Sequence, residues 1–331
     1  MEFSLAGLWL AIIGFFLLYY VVSDGFGLGV GILCLFPGKN EDRKAMMESV
    51  GYIWHTNQTW LVVVGGMLFG AFPLFYSILF SALYIPAVLM LVGLIFRGIA
   101  LDFHEHSRSK RLWARMFGAG SLVAGMAQGL LLGGLLSGIH VRDGHFAGGV
   151  WDWANPLSFL VCLGVVAGYV LLGCNYLVLK TEGDLQKRVF GYARFLFTVT
   201  LVLSSVVLLW INMRYSYAAG KWTFLPDAFY RVLAASLTAL AFFMLFRSLR
   251  GTREAAPFFW NAVTVVFSFV TLSISVYPYM IPHVVSPITV HQAAASSGTL
   301  AFMLVVTGIL IPVMVFYTTY THRVFRGKVK A

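Results

Sequence analysis

The chain has 331 residues, of which 60% are hydrophobic and only 11% are charged, and 23 Lys and Arg against 13 Asp and Glu give a net charge of +10. Globular domains carry about 25% charged residues, so this composition excludes a water-soluble domain, a disordered chain and a secreted disulfide scaffold. In a soluble protein the basic balance would suggest a nucleic-acid partner. Here we expect no nucleic acid, because the apolar content indicates an integral membrane protein.

Nine apolar stretches are long enough to cross a membrane, since a bilayer core about 30 Å thick needs roughly 20 helical residues. The predicted spans are Ala6–Phe36, Gln58–Leu83, Tyr84–Ala100, Arg115–Gly138, Leu157–Lys180, Phe195–Met213, Ala228–Phe246, Pro257–Tyr277 and Ser297–Tyr320. The first is interrupted, and only Pro73 and Pro86 mark the boundary between the second and third. The short loops predict a single all-α polytopic membrane domain over residues 1–331, with approximate halves 1–138 and 157–331.

The number of Lys and Arg residues alternates between high and low in successive segments that connect these spans. One set, with Arg97 at the edge of its loop, holds 19 of the 23 Lys and Arg residues. The other set holds Arg142, Arg214, Lys221 and Arg231. Because loops rich in Lys and Arg stay in the cytoplasm, the N-terminus is predicted to lie outside and the C-terminus in the cytoplasm, as an odd number of spans requires. The first apolar stretch is too long for a cleavable signal peptide.

One carboxylate, Asp24, falls inside the first apolar stretch. A carboxylate at mid-membrane costs about 2.5–3.5 kcal/mol on insertion scales, so it needs a reason to be there. Glycines at positions 25, 27, 29 and 31 allow a local break in the helix. Two interpretations stand: Asp24 belongs to a proton pathway, or it is a structural carboxylate held by hydrogen bonds.

A polar stripe enters the second span. Glu48 and His55 are seven residues apart and would share one face of a continuous helix. Asn57, Gln58 and Trp60 follow them. A stripe of Glu, His, Asn and Gln at the start of an apolar run can hold water and relay protons. The alternative is a polar cluster at the membrane surface.

Arg97 and Asp102 lie at the end of the third span. They are five residues apart, which makes a direct pair within one helix strained, so we expect them to be structural and to anchor the cytoplasmic face. No two histidines fall at helical spacing within the spans, and metal-ligand spacing is absent. We therefore expect no metal and no haem bound directly by this chain.

Seven motifs follow one another along the whole chain: Ser23–Leu33, Trp54–Trp60 with Gly65-Gly66 and Phe72-Pro73, Gly93–Gly98, Phe146–Gly149, Leu172–Asn175 with Lys180–Gly183, Tyr277-Pro278 with Ile281-Pro282, and Phe325–Val329. In this order they resemble the motifs of subunit II of cytochrome bd-type quinol oxidases. The loop and C-terminal motifs are most similar to the cyanide-insensitive branch.

The resemblance implies a terminal respiratory oxidase of the bacterial inner membrane. Such an enzyme reduces dioxygen to water with electrons from ubiquinol or menaquinol, and it is electrogenic because the protons come from the cytoplasm. It implies two four-helix bundles plus a peripheral helix in this chain, and a haem-bearing subunit I that forms a heterodimer with it and holds the b- and d-type haems. It also implies roles in scaffolding, in proton access and in an oxygen route near Trp60. Some family members carry a structural quinone in subunit II, and a small accessory subunit is a further partner to consider.

The sequence departs from the family pattern at two positions. The family usually has Asp-Gly-Phe-Asp and Trp-Asp-Gly-Asn, where this chain has Gly27 and His55 in place of the second and third aspartates. Either His55 relays protons itself, or Glu48 substitutes, or this route is closed. Our hypothesis is that Glu48 and His55 together replace the lost aspartate, since histidine titrates near neutral pH.

Two other classes fit parts of this pattern. A secondary transporter would also have many spans and interrupted helices, but it needs a site in both halves, and the main polar groups of the second half are Asn175, Asn212 and Asn261. An assembly subunit that has lost proton conduction would explain the two departures.

Overall fold

The structure is a computed structural model, and it describes residues 4–36, 39–104, 107–214, 227–251, 253–282, 287–324 and 327–328. Lys221 and parts of the C-terminal motif (Phe325, Arg326 and Val329) lie outside these ranges. Helices dominate the described chain. They are α1 Leu5–Ser23, α2 Gly25–Leu33, α3 Asn40–Gly51, α4 Trp54–Ala71, α5 Pro73–Ala82, α6 Tyr84–His104, α7 Lys110–Ser137, α8 Pro156–Lys180, α9 Gly183–Arg214, α10 Asp227–Ser248, α11 Ala255–Val276, α12 Val290–Ala293 and α13 Ser297–Val324.

Within the described residues, eight helices are long and apolar enough to cross a membrane, counting α1 and α2 as one, and this confirms an all-α membrane protein. The predicted span Gln58–Leu83 is not one continuous helix. It consists of α4 and α5, which are bent by 118° at a break before Pro73. Proline has no backbone N–H and starts a new helix easily, so the helix direction changes there. The nine predicted spans become eight helices and one bent pair.

The interruption of the first span lies at Asp24, between α1 and α2. The Asp24 backbone N–H still donates to the Tyr20 carbonyl, and the Leu28 N–H donates to the Asp24 carbonyl. The helix axis is therefore continued by backbone hydrogen bonds, while Gly25 and Gly29, one turn apart, leave one side of α2 without side chains. All nine residues of α2 are buried.

The bare surface of α2 lets α8 approach it closely. A Cβ atom built at Gly173 would lie 2.6 Å from the backbone carbon of Gly29, and one built at Gly29 would overlap the Tyr169 carbonyl. Phe26 stacks on Tyr176 with ring centroids 4.2 Å apart. Small residues that allow such backbone contact are the usual basis of helix association in membranes. The short helix α2 is thereby enclosed by its neighbours.

Two short antiparallel hairpins lie between the helices. Strands β1 Val141–Arg142 and β2 His145–Phe146 are joined by Asp143 and Gly144, which both have positive φ angles of 53° and 76°. Positive φ at both central residues is the requirement of a type I′ hairpin turn, which Asp-Gly satisfies. Strands β3 Tyr279–Ile281 and β4 Ile288–Thr289 form the second hairpin.

Candidate functional site

Asp24 and Arg97 form an ion pair inside the protein. The Arg97 Nη1 atom lies 2.7 Å from Oδ1 and 2.8 Å from Oδ2 of Asp24, and both residues have no exposed surface. The pair joins the α1–α2 break to α6. The guanidinium presents a fork of donors that matches a carboxylate. Asp24 is therefore held in place by Arg97, which suits a structural group better than a proton carrier.

The structure places Arg97, which was predicted to be structural, inside the protein. Its side chain is 0% exposed and points to Asp24, whereas Asp102, five residues later on α6, is exposed. The spacing in the sequence addressed only a pair between Arg97 and Asp102 within one helix. The partner of Arg97 comes from 73 positions earlier in the chain, on another helix.

Gly27 leaves the space that the Arg97 guanidinium occupies. A Cβ atom built at Gly27 would lie 2.6 Å from Arg97 Nη2 and 3.6 Å from Asp24 Oδ1. Among the described residues, neither Nε nor Nη2 of Arg97 has a hydrogen-bond partner. Gly27 therefore lies directly against the Arg97 nitrogen atoms that have no hydrogen-bond partner among the described residues.

A string of hydrogen bonds, which we call the tyrosine–glutamine string, lies beside the ion pair and consists of Tyr20, Gln128 and Tyr169. The Tyr169 hydroxyl donates to Gln128 Oε1 at 2.6 Å, and Gln128 Nε2 donates to the Tyr20 oxygen at 2.8 Å. Tyr20 is 2% exposed and Tyr169 is 5% exposed. None of these three residues was predicted to be functional, although Gln128 is a polar residue in the middle of the apolar stretch of α7.

The predicted cluster of Asn57, Gln58 and Trp60 divides between two neighbourhoods. Asn57 is buried, and its Nδ2 atom donates to the Ser23 carbonyl at 2.6 Å, next to Asp24. Trp60 is also buried and stacks on Phe16 with ring centroids 5.1 Å apart and an interplanar angle of 9°. Gln58 is half-buried. Asn57 thus ties α4 to the Asp24 break, while Trp60 packs in an aromatic group further along.

The structure does not place Glu48 and His55 on one helix face. Helix α3 ends at Gly51 and α4 begins at Trp54, because glycine disfavours continuation of a helix. Glu48 Oε1 lies 3.5 Å from Lys44 Nζ, one turn earlier on α3. His55 is exposed, and its ring stacks against Trp54 with centroids 3.4 Å apart. The assumption of a continuous helix is wrong, so any joint action of the two residues needs a path outside one helix.

The residues present offer no metal centre: within the described chain, no group of three or more His, Cys, Asp and Glu side chains lies close enough to hold a metal ion. The cysteines Cys34, Cys162 and Cys174 are buried and free.

Comparisons with known proteins agree over almost the whole chain. The family model of cytochrome bd terminal oxidase subunit II matches residues 5–325. The chain is 26% identical over 358 residues to the cytochrome bd-I ubiquinol oxidase subunit 2 of Escherichia coli (strain K12), with 97% of this chain and 94% of the relative covered. It is also 26% identical over 334 residues to the cytochrome bd ubiquinol oxidase subunit 2 of Bacillus subtilis (strain 168), with 98% and 97% covered.

The fold has a counterpart in a solved structure, the bd oxidase from Geobacillus thermodenitrificans. The TM-score is 0.79 at 16% sequence identity, and the superposition covers 98% of this chain and 99% of the other. At that identity the likeness concerns the fold. Taken with the match to residues 5–325, it means that the chain belongs to the cytochrome bd terminal oxidase subunit II family, as a multi-pass protein of the bacterial inner membrane.

Proposed function

We propose that this chain completes a quinol oxidase as its haem-free subunit and delivers cytoplasmic protons to the haem-bearing partner through His55. The partner, a subunit I, holds the b- and d-type haems in this proposal, and dioxygen and quinol are substrates of the complex. The N-terminus lies outside and the C-terminus in the cytoplasm, which the distribution of Lys and Arg supports. The spans form two four-helix bundles and a peripheral helix in one membrane domain.

The observation that carries the proposal is the position of His55 at the start of an exposed stripe on α4. The exposed positions of α4 recur every three or four residues, at His55, Thr59, Val62, Gly66 and Phe69. This spacing is one face of a helix. The stripe begins with an imidazole and a hydroxyl and continues as an apolar surface. A partner subunit covering this face would meet His55 at the edge of the interface.

His55 suits proton transfer better than Asp24 does. The His55 imidazole is exposed, and its two ring nitrogens can accept and donate hydrogen bonds, whereas the Asp24 carboxylate is held against Arg97. Glu48 lies on α3, the helix before α4, and is half-exposed. Its ion pair with Lys44 lies at the protein surface. In our proposal Glu48 attracts protons at the cytoplasmic face, and His55 passes them on.

The remaining residues support this route without carrying protons. Asn57 holds α4 against the Asp24 break through its hydrogen bond to Ser23. Trp60 of α4 packs against Phe16 and Tyr19 of α1, and an apolar passage is what dioxygen requires. We assign Trp60 to the oxygen route on this basis.

The test is the double variant Glu48→Gln with His55→Ala in the complete oxidase reconstituted into liposomes. We expect quinol-driven proton uptake and turnover to fall together, and His55→Ala alone to account for most of the loss. The matched control is Glu41→Gln, which removes an exposed carboxylate from the same helix. Unchanged turnover and proton uptake in the double variant would favour the assembly role, in which proton conduction has been lost.

A further inference from the structure

We infer that the cytoplasmic end of α7 binds the headgroup of an anionic phospholipid, whose acyl chains lie along the exposed apolar face of the same helix. The headgroup meets four cations that we call the α7 basic cluster: Arg108, Lys110, Arg111 and Arg115. The inference goes beyond the proposed function and takes from it only the orientation of the chain.

The α7 basic cluster is not explained by the stability of its own helix. Its four cations fall within positions 108–115, no acidic residue lies among them, and all four side chains are exposed. Lys110 and Arg111 belong to the first turn of α7, where a cation opposes the helix dipole. Arg111 and Arg115 are four residues apart, a spacing at which like charges destabilise a helix. An anion that lies against the cluster offsets both effects.

Cations in other segments on the proposed cytoplasmic side have partners within the chain. Arg188 pairs with Asp42 at 2.6 Å, Lys328 pairs with Glu254 at 2.7 Å, and Arg43 donates to main-chain carbonyls that follow α2. By contrast, within the part of the chain that the structure describes, no side chain of the α7 basic cluster has an ion-pair or hydrogen-bond partner. The cluster therefore has positive charge available for a ligand.

The exposed face of α7 continues from the cluster as an apolar surface. Its exposed positions Leu112, Arg115, Ala119, Val123 and Met126 recur every three or four residues, which is one face of a helix. From Arg115 to Met126 this face is about 17 Å long, at a rise of about 1.5 Å per residue. One leaflet of a bilayer core is about 15 Å thick. The apolar surface thus has the length of an acyl chain in one leaflet.

An aromatic pair marks the headgroup level beside the cluster. Trp113 of α7 stacks on Phe103 of α6 with ring centroids 5.3 Å apart, and Phe103 is exposed. Tryptophan prefers the boundary between membrane and water. The stack also joins the ends of α6 and α7, which holds the cluster in place at that boundary.

An anionic phospholipid matches both parts of this surface. Groups of four to eight Lys and Arg next to a membrane helix attract anionic headgroups, and the arginine fork matches a phosphate group. A soluble anion has no use for the apolar face. A zwitterionic phospholipid has the same acyl chains, but the cation of its headgroup weakens the attraction to the cluster. The surface should therefore select anionic over zwitterionic lipid.

The experiment compares two brominated lipids as fluorescence quenchers in nanodiscs that contain the complete oxidase. A bimane on Ala119→Cys, in the apolar face of α7, reports which lipid lies there. The native cysteines of the chain are buried, and a complex without the introduced cysteine gives the labelling background. At equal mole fractions, we expect brominated phosphatidylglycerol to quench severalfold more strongly than brominated phosphatidylcholine. Replacement of all four cations of the cluster by glutamine should make the two lipids quench equally.

The matched control is a bimane on Leu240→Cys, an exposed position eight residues before the cytoplasmic end of α10, where the preference should be much smaller. High salt should lower the preference at Ala119 in the native cluster, which tests the inference even if the glutamine variant fails to assemble.

Three results overturn the inference. They are a preference at Ala119 no larger than at Leu240, a preference that survives both glutamine replacement and high salt, and a label at Ala119 that neither lipid reaches because a protein covers the face. None of these measurements involves proton uptake, so failure of the proposed function is distinguishable from failure of this inference.

Discussion

At the residue scale, the buried ion pair shows how a costly charge is accommodated in this protein. Asp24 and Arg97 neutralise each other at 2.7 Å with no exposed surface. Two opposite charges in contact avoid most of the cost of a lone charge in an apolar medium. The pair joins a broken helix to α6, so the same contact that neutralises Asp24 also fixes the break.

Removal of one partner should be much worse than removal of both. Arg97→Met leaves the Asp24 carboxylate buried without a counter-charge, which costs about 3–5 kcal/mol in known cases. The double variant Arg97→Met with Asp24→Asn should recover much of that stability. Thermal unfolding of the purified complex measures the difference, with Arg247→Met, an exposed arginine on α10, as the control. Equal unfolding temperatures for the single and double variants would contradict the ion pair.

The sequence shows that Asp24 is a carboxylate within an apolar span, but it does not show that Arg97 is its partner. Apolar periodicity locates a carboxylate within a span, whereas a contact between α1 and α6 depends on how separate helices pack. The same limit explains the missed string, since Tyr20, Gln128 and Tyr169 come from three helices. Glu48 and His55 do not share the predicted helix face for a local reason, because α3 ends at Gly51 and His55 belongs to the next helix.

At the element scale, the packing of α2 against α8 determines where the site lies. Glycines on both helices bring the backbones into contact at Gly29 and Gly173. Most span boundaries followed from the apolar runs, as the predicted Leu157–Lys180 and the observed Pro156–Lys180 show. The bend of 118° between α4 and α5 did not follow from the apolar runs. A proline in an apolar run indicates a break but not the angle of the bend, which depends on what each helix packs against.

Gly173→Ala should destabilise the complex by about 1–3 kcal/mol, because the added methyl group meets backbone atoms that cannot move aside. Gly168→Ala on the same helix is the matched control, since nothing lies within 4 Å of a Cβ atom at that position. That change should be neutral or slightly stabilising. The unfolding temperatures of the two variants give the comparison. A Gly173→Ala complex as stable as the control would mean that α2 and α8 are not in backbone contact.

At the scale of the whole molecule, Lys328 near the C-terminus connects the ends of two helices. Lys328 Nζ lies 2.7 Å from Glu254 Oε2 and 3.4 Å from Glu182 Oε1. Gln186 Nε2 also donates to Glu254 Oε1, at 2.8 Å. Glu182 follows α8 and Glu254 precedes α11, so one lysine connects two turns that are distant in the sequence.

Attachment of the tail should depend on pH. The hydrogen bond from Lys328, and next the one from Gln186, lower the pKa of Glu254. The bond to Glu254 raises the pKa of Lys328. The attachment is therefore complete between the ordinary carboxyl and lysine pKa values. It weakens as the pH falls through the lowered Glu254 pKa, and also as it rises through the raised Lys328 pKa.

A nitroxide on an added C-terminal cysteine measures this attachment, since the native Cys34, Cys162 and Cys174 are buried. Its mobility should increase in acid for the wild-type protein. In Lys328→Ala the tail should be mobile at all pH values, and high salt should imitate this variant, because exposed ion pairs are screened. Mobility that is independent of pH and salt in the wild type would contradict the role of Lys328.

We propose that this chain works as the haem-free half of an oxidase, and the most direct test is the optical spectrum of the material purified through an affinity tag on the chain. We predict that a larger partner copurifies with it and that the spectrum shows b- and d-type haem bands, which stay with the partner when the subunits are separated. A haem-free homo-oligomer of this chain, which a secondary transporter would give, would contradict the claim.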